Sequence, residues 1–239
     1  MKYVPVRFAL AVVTFAAVGL FFTPDQALPA GQSEDGWVNL FNGKDLDGWV
    51  QRGGKAQYKV EDGQIVGSTV PNTGNSFLCT KRDYGDFVLE LEFKVDPNLN
   101  SGVQIRSHVY DHDTTVEWKG KTIKIDAGRV HGYQVEIDPD VKRGRMWTGG
   151  IYDEGRRGWL ADLEHNEPAR KAFKPGEWNQ FHIECRGDSI KTRLNGVAAA
   201  DLKDALTPTG FIGLQVHAVG KREEPLEVRF RNLRIKEVK

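Results

Sequence analysis

The chain has 239 residues, 39% of them hydrophobic and 28% charged, a composition that suits a folded chain with a sizeable core and excludes general disorder. Lys and Arg number 33, as do Asp and Glu, so the net charge is zero and no basic excess points to nucleic acid. The 26 Gly and 10 Pro mark a turn-rich chain that leans toward β structure, without the three-residue period of collagen or a repeat of solenoid length.

Residues 1–30 read as an export signal. Lys2 and Arg7 precede an uncharged run from Phe8 to Phe22, too short for a membrane span of about 20 residues and suited to a signal h-region. Ala30 is a small residue suited to precede cleavage. The expectation is a periplasmic or extracellular protein with no membrane span in the mature chain, of undetermined oligomeric state. Export would place Cys79 and Cys185 where a disulfide can form, although both sit in strand-like runs and two buried thiols are the plainer reading. Residues 31–36 are a polar lead-in, and no linker interrupts 37–239, which reads as one domain.

From Trp37 onward the pattern is strand-like. Phe87, Leu89, Leu91, Phe93 and Val95 alternate with Glu90, Glu92 and Lys94, the period of a half-buried strand. In Ser101–Arg106, Val103 and Ile105 face one way; Gln104, Arg106 and then His108 are expected to face the other. The polar stretch 110–131 reads as a long loop, with His131 placed where it could reach a ligand. In Tyr133–Asp138, Gln134, Glu136 and Asp138 share the face opposite Tyr133, Val135 and Ile137. Short helices are predicted at 164–172 and 201–206. Phe181, Ile183 and Cys185 alternate with His182, Glu184 and Arg186; Gly187-Asp188 and Asn195-Gly196 are tight-turn signals. In Phe211–His217, Ile212, Leu214 and Val216 are core-like, while Gly213, Gln215 and His217 are not. The last strand carries Val228, Phe230, Leu233 and Ile235, with a bulge near Asn232. Close-spaced strands with little helix predict an all-β sandwich of two antiparallel sheets.

Three strands therefore carry a polar face of Gln, Glu, Asp, Arg and His, and Lys is absent from it. Amides, carboxylates and imidazoles donate and accept in set directions, which suits a polyhydroxylated ligand. As strand neighbours they would form a polar cleft. Glu136 and Asp138, two residues apart on one face, are candidates for acid–base work or for sharing a divalent cation. Tyr152 could add a phenol to the cleft. Trp118, Trp147 and Trp159 lie in loop-like sequence, and His165 and His182 read as surface residues. No Walker loop, nucleophile elbow or zinc helix is present.

The stretch Trp37-Val-Asn-Leu-Phe-Asn-Gly-Lys-Asp-Leu-Asp-Gly-Trp49 resembles the opening of the 3-keto-disaccharide hydrolase domain family of bacteria. The resemblance continues through Asn100–Arg106, Gly132–Asp138, Thr148–Asp153, Gly176–Asn179, Gly210–His217 and Phe230–Ile235. It implies a concanavalin A-like jelly roll of two curved antiparallel sheets with the active cleft on the concave face. It also implies cleavage of glycosides already oxidised at C3. A base removes the C2 proton, an electrophile stabilises the enediolate, the C1 substituent is eliminated, and water adds back. Carried onto this chain, the base would be Glu136 or His217. Arg106, or a divalent cation held in part by Glu136 and Asp138, would be the electrophile. Gln104, Gln134, Asp138, Tyr152 and Gln215 would bind the sugar. Two other readings remain open. A laminarinase-type retaining glycosidase would need a Glu-x-Asp-x-Glu run, whereas this chain has Glu136-Ile-Asp138-Pro139-Asp140. A non-catalytic carbohydrate-binding module would use the same fold.

Overall fold

A computed structural model of the chain describes Met1 and residues 35–139 and 144–238; residues 2–30 of the expected export signal and Asp140 lie outside the described residues. In chain order the first strands are β1 (Val38–Asn39), β2 (Trp49–Gly53), β3 (Gln57–Glu61), β4 (Gln64–Ser68), β5 (Ser76–Tyr84), β6 (Phe87–Val95) and β7 (Ser101–His108). They are followed by β8 (Thr114–Trp118), β9 (Lys121–Ile125), β10 (His131–Ile137), β11 (Ile151–Glu154), β12 (Gly158–Ala161) and helix α1 (Glu167–Ala172). The chain closes with β13 (Asn179–Arg186), β14 (Ser189–Leu194), β15 (Val197–Lys203), β16 (Gly210–Val216) and β17 (Glu227–Glu237).

Two antiparallel sheets enclose one core. The larger runs β15-β14-β13-β6-β17-β4-β3, with β1 added along β17; the other runs β12-β11-β10-β7-β16-β5-β2. This is the predicted all-β architecture. Phe87, Leu89, Leu91, Phe93, Phe181 and Phe230 of the first sheet meet Val103, Ile105, Tyr133, Val135, Ile212 and Leu214 of the second, all essentially inaccessible to water. Truncating any of these to Ala would cost about 2–5 kcal/mol.

The two sheets differ on their outer faces, and the difference locates the site. Strands β6 and β13 alternate buried and accessible residues. Their solvent face is tiled with cross-strand ion pairs such as Arg234–Glu90 and Arg231–Glu92, each 2.7 Å. In contrast, β10 and β16 are buried at every position. A strand buried on both faces has a second layer above it. Part of that layer is apolar, where Phe77, Cys79, Val130 and Phe211 cluster. The remainder is the polar face predicted from sequence.

Local chemistry explains the connections. Asp62-Gly63, Lys119-Gly120 and Asn195-Gly196 all have positive φ at both residues, the geometry that closes two-residue hairpins between right-twisted strands. Helix α1 starts at Asn166, whose side chain accepts the Ala169 N–H at 3.2 Å. Asn232 is left-handed and the β17 register shifts between Arg231 and Arg234, as the predicted bulge requires.

Three expectations change, while the plainer reading of the two cysteines holds. Residues 110–131 are not one loop: Thr114–Trp118 and Lys121–Ile125 pair as a hairpin, favoured by their β-branched residues. Trp118 and Trp159 thus lie on strands. Residues 201–206 are not helical; Asp201–Lys203 extend β15, paired with β14. Cys79 and Cys185 are free buried thiols in different clusters, Cys185 in the main core and Cys79 in the outer one. Burial pushes both up to about 12. Among the described residues no helix is long and apolar enough to cross a membrane.

Candidate functional site

The polar face lines a cleft of about 740 Å³ on the outer side of the seven-stranded sheet. Its floor follows from the register. Glu136 of β10 lies opposite Gly102 of β7, and Gln134 lies opposite Gln104 on one side and Tyr152 of β11 on the other. Gln104 lies opposite Gly213 and Val103 opposite Leu214 of β16, which puts Gln215 beside Gly102. Glu136 and Gln215 therefore flank a glycine, two strands or roughly 10 Å apart. A Cβ on Gly102 would stand 2.6 Å from Cδ and Cγ of Gln134, so only glycine lets that amide lie across the floor.

Glu136 is the centre of a directed hydrogen-bond chain. Asn100 Nδ2 donates to its Oε1 at 2.5 Å and Gln134 Nε2 to its Oε2 at 2.6 Å. Gln104 Nε2 donates to Gln134 Oε1 at 2.7 Å, and Ser107 Oγ donates to Gln104 Oε1 at 2.8 Å. Every amide presents its N–H toward the carboxylate. Burial nevertheless pushes Glu136 up to about 7, against the pull of the Asn100 and Gln134 donors and with the help of the nearby Asp138 and Glu154 charges.

The other predicted residues divide. Gln134, Asp138, Tyr152, Gln215 and His217 all line the cleft with Glu136. Gln215 is 0% exposed, yet among the described residues neither its Oε1 nor its Nε2 has a partner. Such a buried amide is costly unless a ligand satisfies it. Asp138 pairs with Arg145 Nη2 at 3.2 Å. His217 Nδ1 lies 2.8 Å from the Ala218 carbonyl; a carbonyl only accepts, so Nδ1 carries a proton, and in the neutral ring the lone pair is on Nε2. Gln104 is fully buried beside Gln134 with its amide already engaged, and it does not line the cleft. His131 is buried, with Nδ1 on the Arg129 carbonyl at 3.0 Å, also outside the cleft lining.

Arg106 is a correction. It was expected beside Gln104 on the polar face, but its φ is +46° and the β10–β7 and β16–β7 registers both slip there. The bulge turns the guanidinium away from the cleft. It donates to the Gly85 carbonyl at 2.8 Å, the Gly187 carbonyl at 2.7 Å and Asp86 Oδ1 at 2.8 Å. Arg106 is thus a tie from the cleft sheet to the loops of the larger sheet, not an electrophile.

The donor set does not fit the divalent cation either. Both Glu136 oxygens accept amide N–H groups and Asp138 is paired with a guanidinium. Among the described residues no three His, Cys, Asp or Glu side chains converge, where a hard cation wants six or more oxygen ligands.

Sequence reasoning missed Glu154 and Arg145 and placed Trp159 in loop-like sequence, and all three line the cleft. Glu154 is buried, which raises its carboxyl, and Oε1 accepts from Arg129 Nη2 at 3.1 Å. Period two from Tyr152 would have found it. Trp159 lies opposite Tyr152 on β12. The two rings meet edge to face at 5.4 Å, and Trp147 meets Trp159 the same way at 4.8 Å. This aromatic wall suits the apolar face of a sugar ring.

Known structures share the fold. A Bacillus subtilis protein of galectin-like fold superposes with a TM-score of 0.56 at 12% identity, covering 80% of this chain and 90% of that one. A Parabacteroides distasonis structure provisionally assigned as a glycosyl hydrolase gives 0.50 at 26% identity, covering 84% and 99%. By sequence, a Bacteroides thetaiotaomicron protein named 3-keto-disaccharide hydrolase is 27% identical over 164 residues, 62% of this chain and 52% of that one. The chain thus spans about half the length of that curated relative. Residues 36–236 match a carbohydrate-active family along nearly the whole described chain, and the protein belongs to that family, the 3-keto-alpha-glucoside-1,2-lyase-like domain.

Proposed function

We propose that the protein cleaves glycosides already oxidised at C3, by C2 proton abstraction and elimination of the C1 substituent, followed by addition of water. The observation that carries this reading is Glu136: a carboxyl enclosed in a polar cleft, held by two amide donors and poised at about 7. A base works best when its pKa lies near the working pH, and the C2–H beside a ketone is acidic enough for a carboxylate to remove.

The ring sits over Gly102 between Glu136 and Gln215. Glu136 takes the C2 proton, and the C–H electron pair forms the enediolate with its charge on the C3 oxygen. The unpartnered Gln215 Nε2 donates a hydrogen bond to that oxygen, in the place first given to Arg106. The Nε2 lone pair of His217 accepts from a ring hydroxyl. Collapse of the enediolate expels the C1 oxygen substituent, water adds at C1, and Glu136 returns its proton to C2. The name of the Bacteroides relative supports a disaccharide, and the signal-like residues 1–30 support action outside the cytoplasm.

The test is mass spectrometry of the purified protein with a 3-keto-glucoside and with its unoxidised parent, each with and without chelator. Cleavage of the keto form alone, unaffected by chelator, is expected. Binding of either sugar with no turnover would replace the reading with a carbohydrate-binding module. Hydrolysis of the parent would replace it with an ordinary glycosidase.

A further inference from the structure

Elimination needs a second proton carrier. The leaving oxygen at C1 departs as an alkoxide unless it is protonated, and for an alkyl or sugar leaving group that is prohibitive near neutral pH. Glu136 is committed to C2. Glu154 is engaged by Arg129 at 3.1 Å and pairs across the register with Gly132, four residues along β10 from Glu136. The phenol of Tyr152 stands on the strand beside Glu136, opposite Gln134.

We propose that Tyr152 is the acid that protonates the leaving oxygen, an inference that rests on the elimination reading. Its position is set by register. Tyr152 lies opposite Gln134, and Glu136 is two residues further along β10. The two side chains are diagonal neighbours on one face, about 7–8 Å apart at the backbone, a gap that the C1–C2 bond of a sugar can bridge. Both line the cleft, and the Tyr152 hydroxyl takes part in none of the hydrogen bonds that bind Asn100, Gln134 and Glu136 together. The ring is held edge-on by Trp159 at 5.4 Å, so the hydroxyl is presented in one direction. Burial and the Glu154 and Glu136 charges raise the phenol, so it stays protonated throughout the range in which Glu136 titrates.

The protons balance. In the elimination, C2–H passes to the Glu136 carboxylate, the enediolate pair becomes the C1=C2 bond, and the C1–O pair leaves with the Tyr152 proton. In the hydration, the phenolate takes a proton from water as the oxygen bonds to C1, and Glu136 returns its proton to C2. Both residues end as they began.

The test is Tyr152→Phe assayed with methyl and with 4-nitrophenyl 3-keto-α-glucoside, with melting temperature as the check on folding. A nitrophenolate leaves without protonation and a methoxide does not. The expected result is a loss of 100-fold or more in kcat on the methyl glycoside and less than tenfold on the nitrophenyl one, with the acid limb near pH 7 unmoved. Equal losses on both substrates, or none on either, would overturn the assignment while leaving the elimination reading intact. A wild-type protein that cleaves neither compound would overturn both.

Discussion

Replacing Glu136 with Gln should abolish turnover and, at the same time, stabilise the protein in alkaline solution. The carboxyl stands at about 7 in the fold against an ordinary 4.5. A carboxyl raised on folding favours the native state only while it is protonated, so its contribution is fully present below pH 4.5 and is lost as pH rises through 7. Linkage puts the loss at about 1 kcal/mol by pH 5 and about 3 kcal/mol by pH 8. Glutamine does not titrate and escapes it. It has one carbonyl where the carboxylate offered two oxygens, so either Asn100 or Gln134 must turn, at a pH-independent cost of about 1–2 kcal/mol. The variant should therefore match or fall slightly below wild type at pH 5 and exceed it by about 1–2 kcal/mol at pH 8. At about 2–4 °C per kcal/mol for a domain of this size, the difference in Tm between the two proteins should grow by about 5–8 °C over that interval. Paired thermal melts at pH 5 and pH 8 measure it, and other titrating groups cancel in the comparison. A Tm difference that does not change with pH would refute the raised carboxyl and with it the poised base.

Three further outcomes follow from the geometry. Arg106→Met should cost about 3 kcal/mol by stranding the Gly85 and Gly187 carbonyls, yet the folded fraction should turn over normally; a well-folded variant without activity would return Arg106 to the chemistry. Gly102→Ala drives a methyl to 2.6 Å from the Gln134 side chain and should lower activity at least tenfold while costing about 1–2 kcal/mol; unchanged kcat would mean that Gln134 does not need its present position. Cys79 and Cys185, buried and raised to about 12, should resist a thiol reagent in the native state and both react in guanidinium, whereas a titre of zero after unfolding would reveal a disulfide.

The sheet pattern was legible because the side-chain period of a strand is two. It assigned Val103, Ile105, Val135, Ile212 and Leu214 to the core, and Gln134, Glu136 and Gln215 to the opposite face, from alternation alone. The same rule failed at Arg106, because a single left-handed residue shifts the alternation and no side-chain pattern announces it. Glu154 was within reach of the rule and was overlooked when the strand was read only to Asp153. Depth was not legible. Gln104 and Gln134 look equivalent in sequence and lie side by side, yet only the second meets the cleft. The Tyr152–Trp159–Trp147 wall depends on pairing between β11 and β12, a tertiary fact that composition does not carry.

The most direct test of the account is the fate of the C2 hydrogen. The protein should be given a 3-keto-glucoside in D2O, and the released sugar read by NMR at C2 against an enzyme-free control. Exchange of the Glu136 proton with solvent before its return predicts deuterium at C2 in the product, and the Glu136→Gln variant should release no product. Cleavage by wild type with C2–H fully retained and no primary isotope effect on a C2-deuterated substrate would mean that the bond breaks without a C2 carbanion, and the elimination chemistry assigned to this cleft would be wrong.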